Sequence, residues 1–214
     1  MRKKGNKLIQ ISLEYSKNEK LTWFEKIREE LFSIGLGNLF ISASFTTNQI
    51  EQNYFQRKSD IFHQTAFEKI RENKSKLRTY SLFKTEIGYE KYLTEITSIQ
   101  ERIAFSKFRL SNHTLMIEKG RHLKLERNQR ICPFCPEHVE DELHFIVVCK
   151  NFMTQRETLL NHAKNVLVGF AHLNNEQKMI KLLTDPQIIR TTATYLKKNL
   201  ELRQFLINRH KNNS

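Results

Sequence analysis

The sequence predicts an all-α fold that carries one small knuckle of cysteine and histidine residues. Two observations indicate helices: the 214 residues include only 6 glycines and 3 prolines, and apolar residues recur at three- and four-residue steps along much of the chain. A third observation indicates the knuckle, because all three cysteines lie within eighteen residues of one another. The 15 phenylalanines supply enough bulky apolar side chains to bury a core.

The amino-terminal part of this fold is predicted to be a helical hairpin over residues 21–73. The first helix covers residues 21–34, where the apolar residues follow one helical face. Gly35 and Gly37 then supply a stop signal. The second helix covers residues 47–73, with a threonine or asparagine at its start as the cap.

A basic helical region is predicted over residues 74–131, and a polar, basic amino terminus over residues 1–20 is expected to be flexible. Ser75 is expected to cap a short helix that ends at Gly88. The stretch Ser98–Glu101 has the composition of a capping box and is expected to begin the next helix, which carries Ile103, Ala104 and Phe108 on its apolar face.

The cysteines and one histidine fit a metal site over residues 132–153. Cys132 and Cys135 are two residues apart, and His144 and Cys149 follow in the pattern C-x2-C-x8-H-x4-C, or CCHC. Three thiols and one imidazole are a complete tetrahedral donor set for zinc. The sequence therefore predicts a small CCHC zinc knuckle that holds one structural zinc ion and leaves no coordination position open for catalysis.

Two alternatives to this ligand set stay open. In the first alternative, the three thiols are buried free cysteines beside a surface histidine and bind no metal. In the second, His138 competes as a ligand. Residues 139–153 read as helical, and His144 and Cys149 are five residues apart, about one and a half helical turns. The helix is therefore expected to end or loosen near Cys149, so that both donors point inward.

Further helices are predicted over residues 154–214, after the knuckle. The first is expected to run to about residue 168. The last is expected to begin at Asp185-Pro186, which fits an N-cap and a first helical turn. Its apolar stripe is interrupted once, by Arg203, and consists of Ile189, Ala193, Leu196, Leu200 and Ile207.

The charge distribution points to a polyanionic partner. The net charge is +13, which favours RNA or DNA, with solubility alone as the alternative. Residues 101–131 carry eight basic and three acidic side chains, and residues 150–214 carry eleven and four. Residues 132–149 instead carry four acidic side chains and no lysine or arginine. We therefore expect nucleic acid to bind the basic flanks, which the knuckle orients as a staple.

The expected phosphate contacts are the basic residues just before the knuckle: Lys107, Arg109, Lys119, Arg121, Lys124, Arg127 and Arg130. Three rings are candidates for stacking on bases: Tyr80, His113 and His122. For each basic residue the alternative is a solvated helix face, and for each ring it is a place in the core.

No catalytic residue is predicted, because the metal set uses every thiol and no nucleophile is paired with a base. The run Glu140-Asp141-Glu142 is expected in the first turn of the His144 helix, where acids favour the helix dipole. No small-molecule substrate and no membrane are expected, since no apolar run approaches the roughly 20 residues of a membrane span. Clustered cysteines and the absence of a signal-peptide pattern favour an intracellular protein, nuclear or cytoplasmic.

The knuckle combines Cys132-Pro-Phe-Cys135, Val139-Glu-Asp-Glu-Leu-His144 and Cys149. This combination resembles the zinc-binding segment at the C-terminal end of non-LTR retrotransposon reverse transcriptases. Four upstream stretches resemble the segment that precedes that site in invertebrate elements: Ser75-Lys-Leu-Arg-Thr-Tyr80, Leu82-Phe-Lys84, Lys107-Phe-Arg-Leu110 and Ile117-Glu-Lys-Gly-Arg121. The resemblance extends over residues 21–209.

The resemblance covers only the tail of such a polyprotein. The chain has no Asp-Asp pair and therefore lacks the Tyr/Phe-x-Asp-Asp polymerase sequence, and it lacks a Pro-Asp…carboxylate-x-Lys nuclease arrangement. The resemblance thus implies a non-catalytic module that holds template RNA or target DNA near a polymerase domain supplied elsewhere. The alternatives are a structural or protein-interaction zinc module, and a truncated element relic without function.

Overall fold

The computed structural model of the protein describes residues 23–41, 46–71 and 76–212. This part of the chain is mostly helical with one two-stranded sheet, which confirms the all-α prediction. None of its helices is long and apolar enough to cross a membrane. The chain divides into two compact units between Glu68 and Lys69. Some expectations concern positions outside the described residues: 1–20, Leu21, Ser75 and 213–214.

The described residues form short and long helices and one two-stranded hairpin, in the following order along the chain. The first helices are α1 (Trp23–Ser33), α2 (Gly37–Ile41) and α3 (Thr47–Arg71). The next are α4 (Arg78–Ser81), α5 (Tyr92–Glu95), α6 (Ile99–Arg109) and α7 (Met116–His122). The hairpin of β1 (Ile131–Cys132) and β2 (Cys135–Val139) precedes a π-helical turn (His144–Val148). The last helices are α8 (Met153–Val166), α9 (Asn175–Thr184) and α10 (Ile189–Asn212), and 3-10 turns cover Arg127–Gln129, Lys150–Phe152 and Phe170–His172.

In the first unit, α1 lies against α3. The Tyr54 hydroxyl donates to the Glu30 carboxylate at 3.3 Å, and the Arg57 guanidinium donates to the carbonyl of Ile34 at 2.9 Å. Gly35 follows α1 with a φ of +78°, a left-handed conformation that favours glycine. The chain therefore turns where the sequence predicts a stop, and α2 begins directly after that turn.

The second unit is built around α10, which packs against α6, α8 and α9. Burial of each large apolar side chain contributes roughly 1.5–3 kcal/mol. The fully buried members include Phe105, Phe108, Leu115, Ile117, Phe145, Ile146, Phe152, Leu159, Leu182 and Leu196. All three cysteines belong to the same cluster. The predicted metal ligands are therefore part of the core and do not form a separate surface finger.

The start of α6 follows the sequence, but its buried face does not. The Ser98 hydroxyl accepts from the amide of Glu101 at 3.4 Å, as predicted. The Glu101 carboxylate binds the Thr194 hydroxyl at 2.9 Å and does not close a capping box. Phe105 is fully buried while Ile103 is 48% exposed. The apolar residues of this helix lie on several of its sides, so their spacing does not identify which face is buried.

Two helices differ from the predictions. The helix expected from Ser75 to Gly88 is confined to α4 within the described residues, because the chain turns after Ser81. The helix α9 was not predicted. Its start carries a readable signal, because Asn174 and Gln177 form a reciprocal capping box with hydrogen bonds of 2.8 and 3.1 Å.

Arg109 is a structural residue of this core, and its predicted phosphate contact is wrong. The residue is 4% exposed. Its guanidinium donates to the carbonyl of Leu183 at 2.9 Å and to the carboxylate of Glu90 at 2.8 Å. The guanidinium carbon also lies 4.6 Å from the ring centre of Phe83 and 4.9 Å from that of Tyr92. These contacts engage the guanidinium within the protein and leave it little exposed to a surface ligand.

Replacing Arg109 with lysine is expected to destabilise the second unit by about 1.5–3 kcal/mol. Lysine keeps the charge, but a single amine neither stacks between two rings nor bonds both acceptors. The measurement is the free energy of unfolding in urea. The control is Lys107→Met, an exposed position on the same helix, which should change that free energy by less than about 0.5 kcal/mol. Equal losses in both variants would contradict the role of the guanidinium.

Candidate metal centre

The four predicted ligands converge inside the core. One donor atom from each of Cys132, Cys135, His144 and Cys149 lies within 4.8 Å of all the others, and all four residues are buried. The sulfur of Cys149 is 3.7 Å from that of Cys135 and 4.0 Å from that of Cys132. A tetrahedral ion with zinc–sulfur bonds of about 2.3 Å holds neighbouring sulfurs about 3.8 Å apart. The donor set therefore fits one tetrahedral metal ion.

A tight hairpin positions the first two ligands. β1 and β2 pair antiparallel, with Cys132 opposite Cys135 and only two residues in the turn between them. Val139 pairs with Ile131 in the same ladder. The helix expected to begin at Val139 therefore starts only at Glu142. Val139 is the last residue of β2, and its pairing with Ile131 keeps it extended and delays the helix.

A π-helical turn brings the other two ligands together. The amide of Cys149 donates to the carbonyl of His144, five residues earlier, at 2.6 Å. This bond aligns residues five apart, whereas an α-helix aligns residues four apart. Cys149 itself has left the helical backbone, with φ −51° and ψ 120°. The loosening expected near Cys149 is therefore present as a wide turn that ends at the ligand.

The ring of His144 supports metal binding independently of the thiols. Its Nε2 is buried and has no hydrogen-bond partner among the described residues. Such an orphaned polar atom costs about 1–3 kcal/mol unless a ligand satisfies it, and a metal ion would do so. His138, the competing candidate, is exposed and lies outside the four-donor group. Its ring stacks on that of His144, with centroids 5.3 Å apart.

The thiols share protons unevenly. A hydrogen bond to Cys132 is the largest cause that lowers the pKa of Cys149 to about 4, with a smaller contribution from His144. The same bond raises the pKa of Cys132 above its usual range. The thiolate is the form of cysteine that binds metals, and the close approach of the thiols favours a thiolate among them.

Arg156 holds the backbone of this ligand. It lies on α8, is 4% exposed, and donates to the carbonyl of Cys149 at 2.7 Å and that of Phe145 at 3.3 Å. The carbonyl of Cys149 also accepts from the amide of Phe152 at 3.3 Å, in the 3-10 turn that follows. The guanidinium thus joins two carbonyls of the segment that carries His144 and Cys149. The spacing of the ligands gave no hint of this residue.

The variant Arg156→Met is expected to weaken zinc binding by about 10–100-fold, the usual effect of losing a group that orients a ligand. Competition with a chromogenic chelator measures the affinity, and circular dichroism of the zinc-loaded protein checks the fold. Lys164→Met is the control, because this exposed position lies on the same helix and should leave the affinity unchanged. Equal affinities for the two variants would show that Arg156 does not support the site.

Two of the four acidic residues of the knuckle, Glu140 and Glu142, are buried, whereas Glu137 is exposed. Glu140 forms a two-point ion pair with buried Arg203, with one bond of 2.6 Å, and accepts from the amide of Met116 at 2.7 Å. Only Asp141 serves the helix start as predicted, by accepting from the amide of His144 at 2.8 Å. The arginine that interrupts the apolar stripe of α10 is therefore the buried partner of the knuckle.

A second cluster surrounds Glu142. Its carboxylate accepts from Arg78 at 2.6 Å, from Ser111 at 2.7 Å and from His113 at 2.8 Å. Burial raises the pKa of Glu142, but the hydrogen bond and charge of His113 and the charge of Arg78 together lower it to about 2. Arg78 also pairs with Glu118. The side chain of His113 is 1% exposed, which excludes it as a stacking platform.

Five of the seven predicted phosphate contacts face solvent. They are Lys107 on α6, Lys119 and Arg121 on α7, and Lys124 and Arg127 just after α7. Arg121 also bonds Glu118 at 2.9 Å, and Arg127 lies 3.8 Å from Asp141. These side chains remain accessible to a ligand, and the structure brings most of them into the short stretch from Lys119 to Arg127.

Arg130 is half-buried and, like Arg109, bonds to groups of the protein itself. Its guanidinium donates to the carbonyl of Leu125 at 2.9 Å and to that of Ile117 at 3.0 Å. It crosses α7 at Gly120, where a Cβ would come within 2.6 Å of its Cγ. Its predicted phosphate contact is therefore replaced by a structural role. Tyr80 is engaged as well, because its hydroxyl donates to Glu90 at 2.7 Å.

Comparison with protein-family models, curated protein sequences and solved structures finds no match to this chain. The geometry alone defines the centre. It is a buried group of three cysteines and one histidine that could hold one metal ion, placed in the core of a mostly helical unit.

Proposed function

We propose that the chain is a non-catalytic nucleic-acid-binding module whose second unit is held together by one structural zinc ion. The observation that carries this proposal is the separation of charge. Glu140 and Glu142 are buried in ion pairs, while five basic side chains before the knuckle face solvent. These two acids therefore do not repel a polyanion at the surface, and the exposed basic side chains outnumber the exposed acids Glu126 and Glu137 beside them.

Zinc is the metal that the donor set favours. Thiolates and imidazole suit zinc, whereas magnesium, calcium and manganese prefer oxygen ligands. Four protein donors also complete a tetrahedron. No position then remains for a bound water or a substrate, which supports a structural and not a catalytic ion.

The knuckle gives the basic surface a fixed shape. Glu140 joins it to α10 through Arg203, and Glu142 joins it to α4 through Arg78. Arg130 ties the start of β1 to α7 at Gly120. The exposed stretch from Lys119 to Arg127 is anchored at both ends by these contacts. Fixed cations of this kind contact phosphates and give affinity without reading sequence.

The motif resemblance to the tail of non-LTR reverse transcriptases supports the same proposal. In that setting the module would hold template RNA or target DNA beside a polymerase domain supplied elsewhere. Its own part is binding and orientation. Backbone contacts by lysine and arginine serve that task for either nucleic acid.

The double variant Lys124→Glu/Arg127→Glu is expected to weaken binding of labelled single-stranded RNA and duplex DNA by about tenfold or more. It should also lower the slope of log affinity against log salt by about 2, since each lost phosphate contact removes about one released counterion. Fluorescence anisotropy at salt concentrations between about 50 and 200 mM measures both quantities.

The control is Lys164→Glu/Lys178→Glu, which makes the same change in net charge on α8 and α9. It should bind almost as well as the unchanged protein. Equal losses of affinity in the two double variants would show that net charge alone, and not these positions, determines binding. If the unsubstituted protein binds neither RNA nor DNA, the proposed function is refuted.

A further inference from the structure

Two depressions on the second unit join into one groove, here called the amphipathic groove. One lies between α6 and α10 and has a volume of about 740 Å³. The other lies between α7, the knuckle turn and α10 and has a volume of about 480 Å³. Thr114 and Gln204 line both. Each volume is in the range that is usual for ligand-binding pockets in proteins.

The floor of the amphipathic groove is apolar. It consists of Ile103, Ala104, Met116, Pro133, Leu200 and Ile207. Ile103 leaves 48% of its surface open, although it lies on a helix whose other face is in the core. Ala104, Met116, Leu200 and Ile207 are half-buried. An apolar surface left partly open along two helices is typical of a docking surface.

The rim of the groove is positively charged. Lys107, Lys119 and Lys197 line it. The acid that lines it with them is Glu201, which lies 3.6 Å from Lys197 and is balanced by it. Arg203 also reaches the groove, but Glu140 neutralises it. An occupant therefore meets an apolar surface beside Lys107 and Lys119, which attract negative charge, and beside Lys197, for which its acids would compete with Glu201.

The lining argues against nucleic acid as the occupant. Base recognition by single-strand binders uses exposed aromatic platforms. The ring that reaches this groove is that of His113, whose side chain is 1% exposed and bonded to Glu142. Aliphatic side chains on the floor instead match the apolar face of a helix.

We propose that the amphipathic groove binds an acidic amphipathic helix of a partner protein. Leucine, isoleucine or phenylalanine side chains at three- and four-residue steps would cover the apolar floor. Aspartate and glutamate on the flanks of that helix would pair with Lys107, Lys119 and Lys197, which supplies the orientation and the attraction at long range.

A displayed library of random peptides, each long enough for about four helical turns, tests this assignment. The library is selected against the zinc-loaded full chain and counter-selected against Ile103→Asp. Enriched peptides should be acidic and carry apolar residues at helical spacing. A synthesised peptide from the selection should lose about tenfold or more in affinity for Lys107→Glu/Lys197→Glu, because opposed charges become like charges.

The variant Lys124→Glu/Arg127→Glu separates this result from the proposed function. It should bind the selected peptide normally while losing nucleic acid. The proposal is overturned if no peptide is enriched, if the enriched peptides are not acidic, or if they bind Ile103→Asp and the lysine double variant equally well. Loss of RNA binding by the groove variants, without peptide enrichment, would make the groove a nucleic-acid channel. Zinc content and circular dichroism verify that each variant is folded.

Discussion

Replacing Cys149 with serine is expected to abolish stoichiometric zinc binding and to lower the thermal midpoint of the second unit by about 10 °C or more. This thiol is 1% exposed and lies next to both other sulfurs. The substitution leaves three donors and puts a hydroxyl in place of a buried thiol in the core. Structural zinc contributes about 10–16 kcal/mol in small zinc-finger peptides, which is as large as the whole stability of many domains.

Metal analysis of the purified protein and thermal denaturation with and without a chelator measure this effect. His138→Ala is the matched control, because it removes the other histidine of the knuckle and should retain one zinc ion per chain. Retention of zinc by Cys149→Ser with loss in His138→Ala would show that the ligand set is misassigned. If the purified protein is well folded and contains no zinc, the prediction of a structural zinc ion is wrong.

The variant Arg203→Met is expected to destabilise the protein by about 3–5 kcal/mol, because it leaves the buried carboxylate of Glu140 without its cation. Glu140 also accepts from the amide of Met116, so it cannot turn to solvent without breaking a second contact. Denaturant unfolding of the zinc-loaded protein measures the loss. Zinc affinity should fall as well, since Glu140 fixes the segment that leads to His144.

Replacing both partners tests whether the ion pair itself or its disruption determines the cost. Glu140→Gln/Arg203→Met should recover part of the loss, because no uncompensated charge remains buried. Lys181→Met breaks the exposed ion pair between Lys181 and Asp185, whose charged groups lie 3.7 Å apart. It should lower the free energy of unfolding by less than about 0.5 kcal/mol. A cost for Arg203→Met as small as that of Lys181→Met would mean that the pair is solvated in solution.

The group of three cysteines and one histidine could be predicted from the sequence because metal coordination favours these residue types at this local spacing. The long helices could be predicted because a helix that buries one face repeats its apolar residues. The start at Ser98 and the stop at Gly35 were predictable for similar local reasons. In each case the residues that decide the structure lie within a few positions of one another.

The partners of the acidic residues were not predictable, since they lie far away along the chain. Glu140 pairs with an arginine 63 residues later, and Glu142 with one 64 residues earlier. The spacing did indicate that Arg203 is buried, because it falls on the same face of α10 as Leu196, Leu200 and Ile207. An arginine on a buried helical face requires an acid, and the knuckle is the segment with acids in excess.

The π-helical turn acts as a ruler for the metal centre. Deleting one residue between His144 and Cys149 would restore α-helical hydrogen bonding and rotate the cysteine by about 100° around the helix axis. Substituting one apolar residue in the same interval would alter only packing. Evolution of this segment is therefore expected to preserve the number of residues between the two ligands more strictly than their identity.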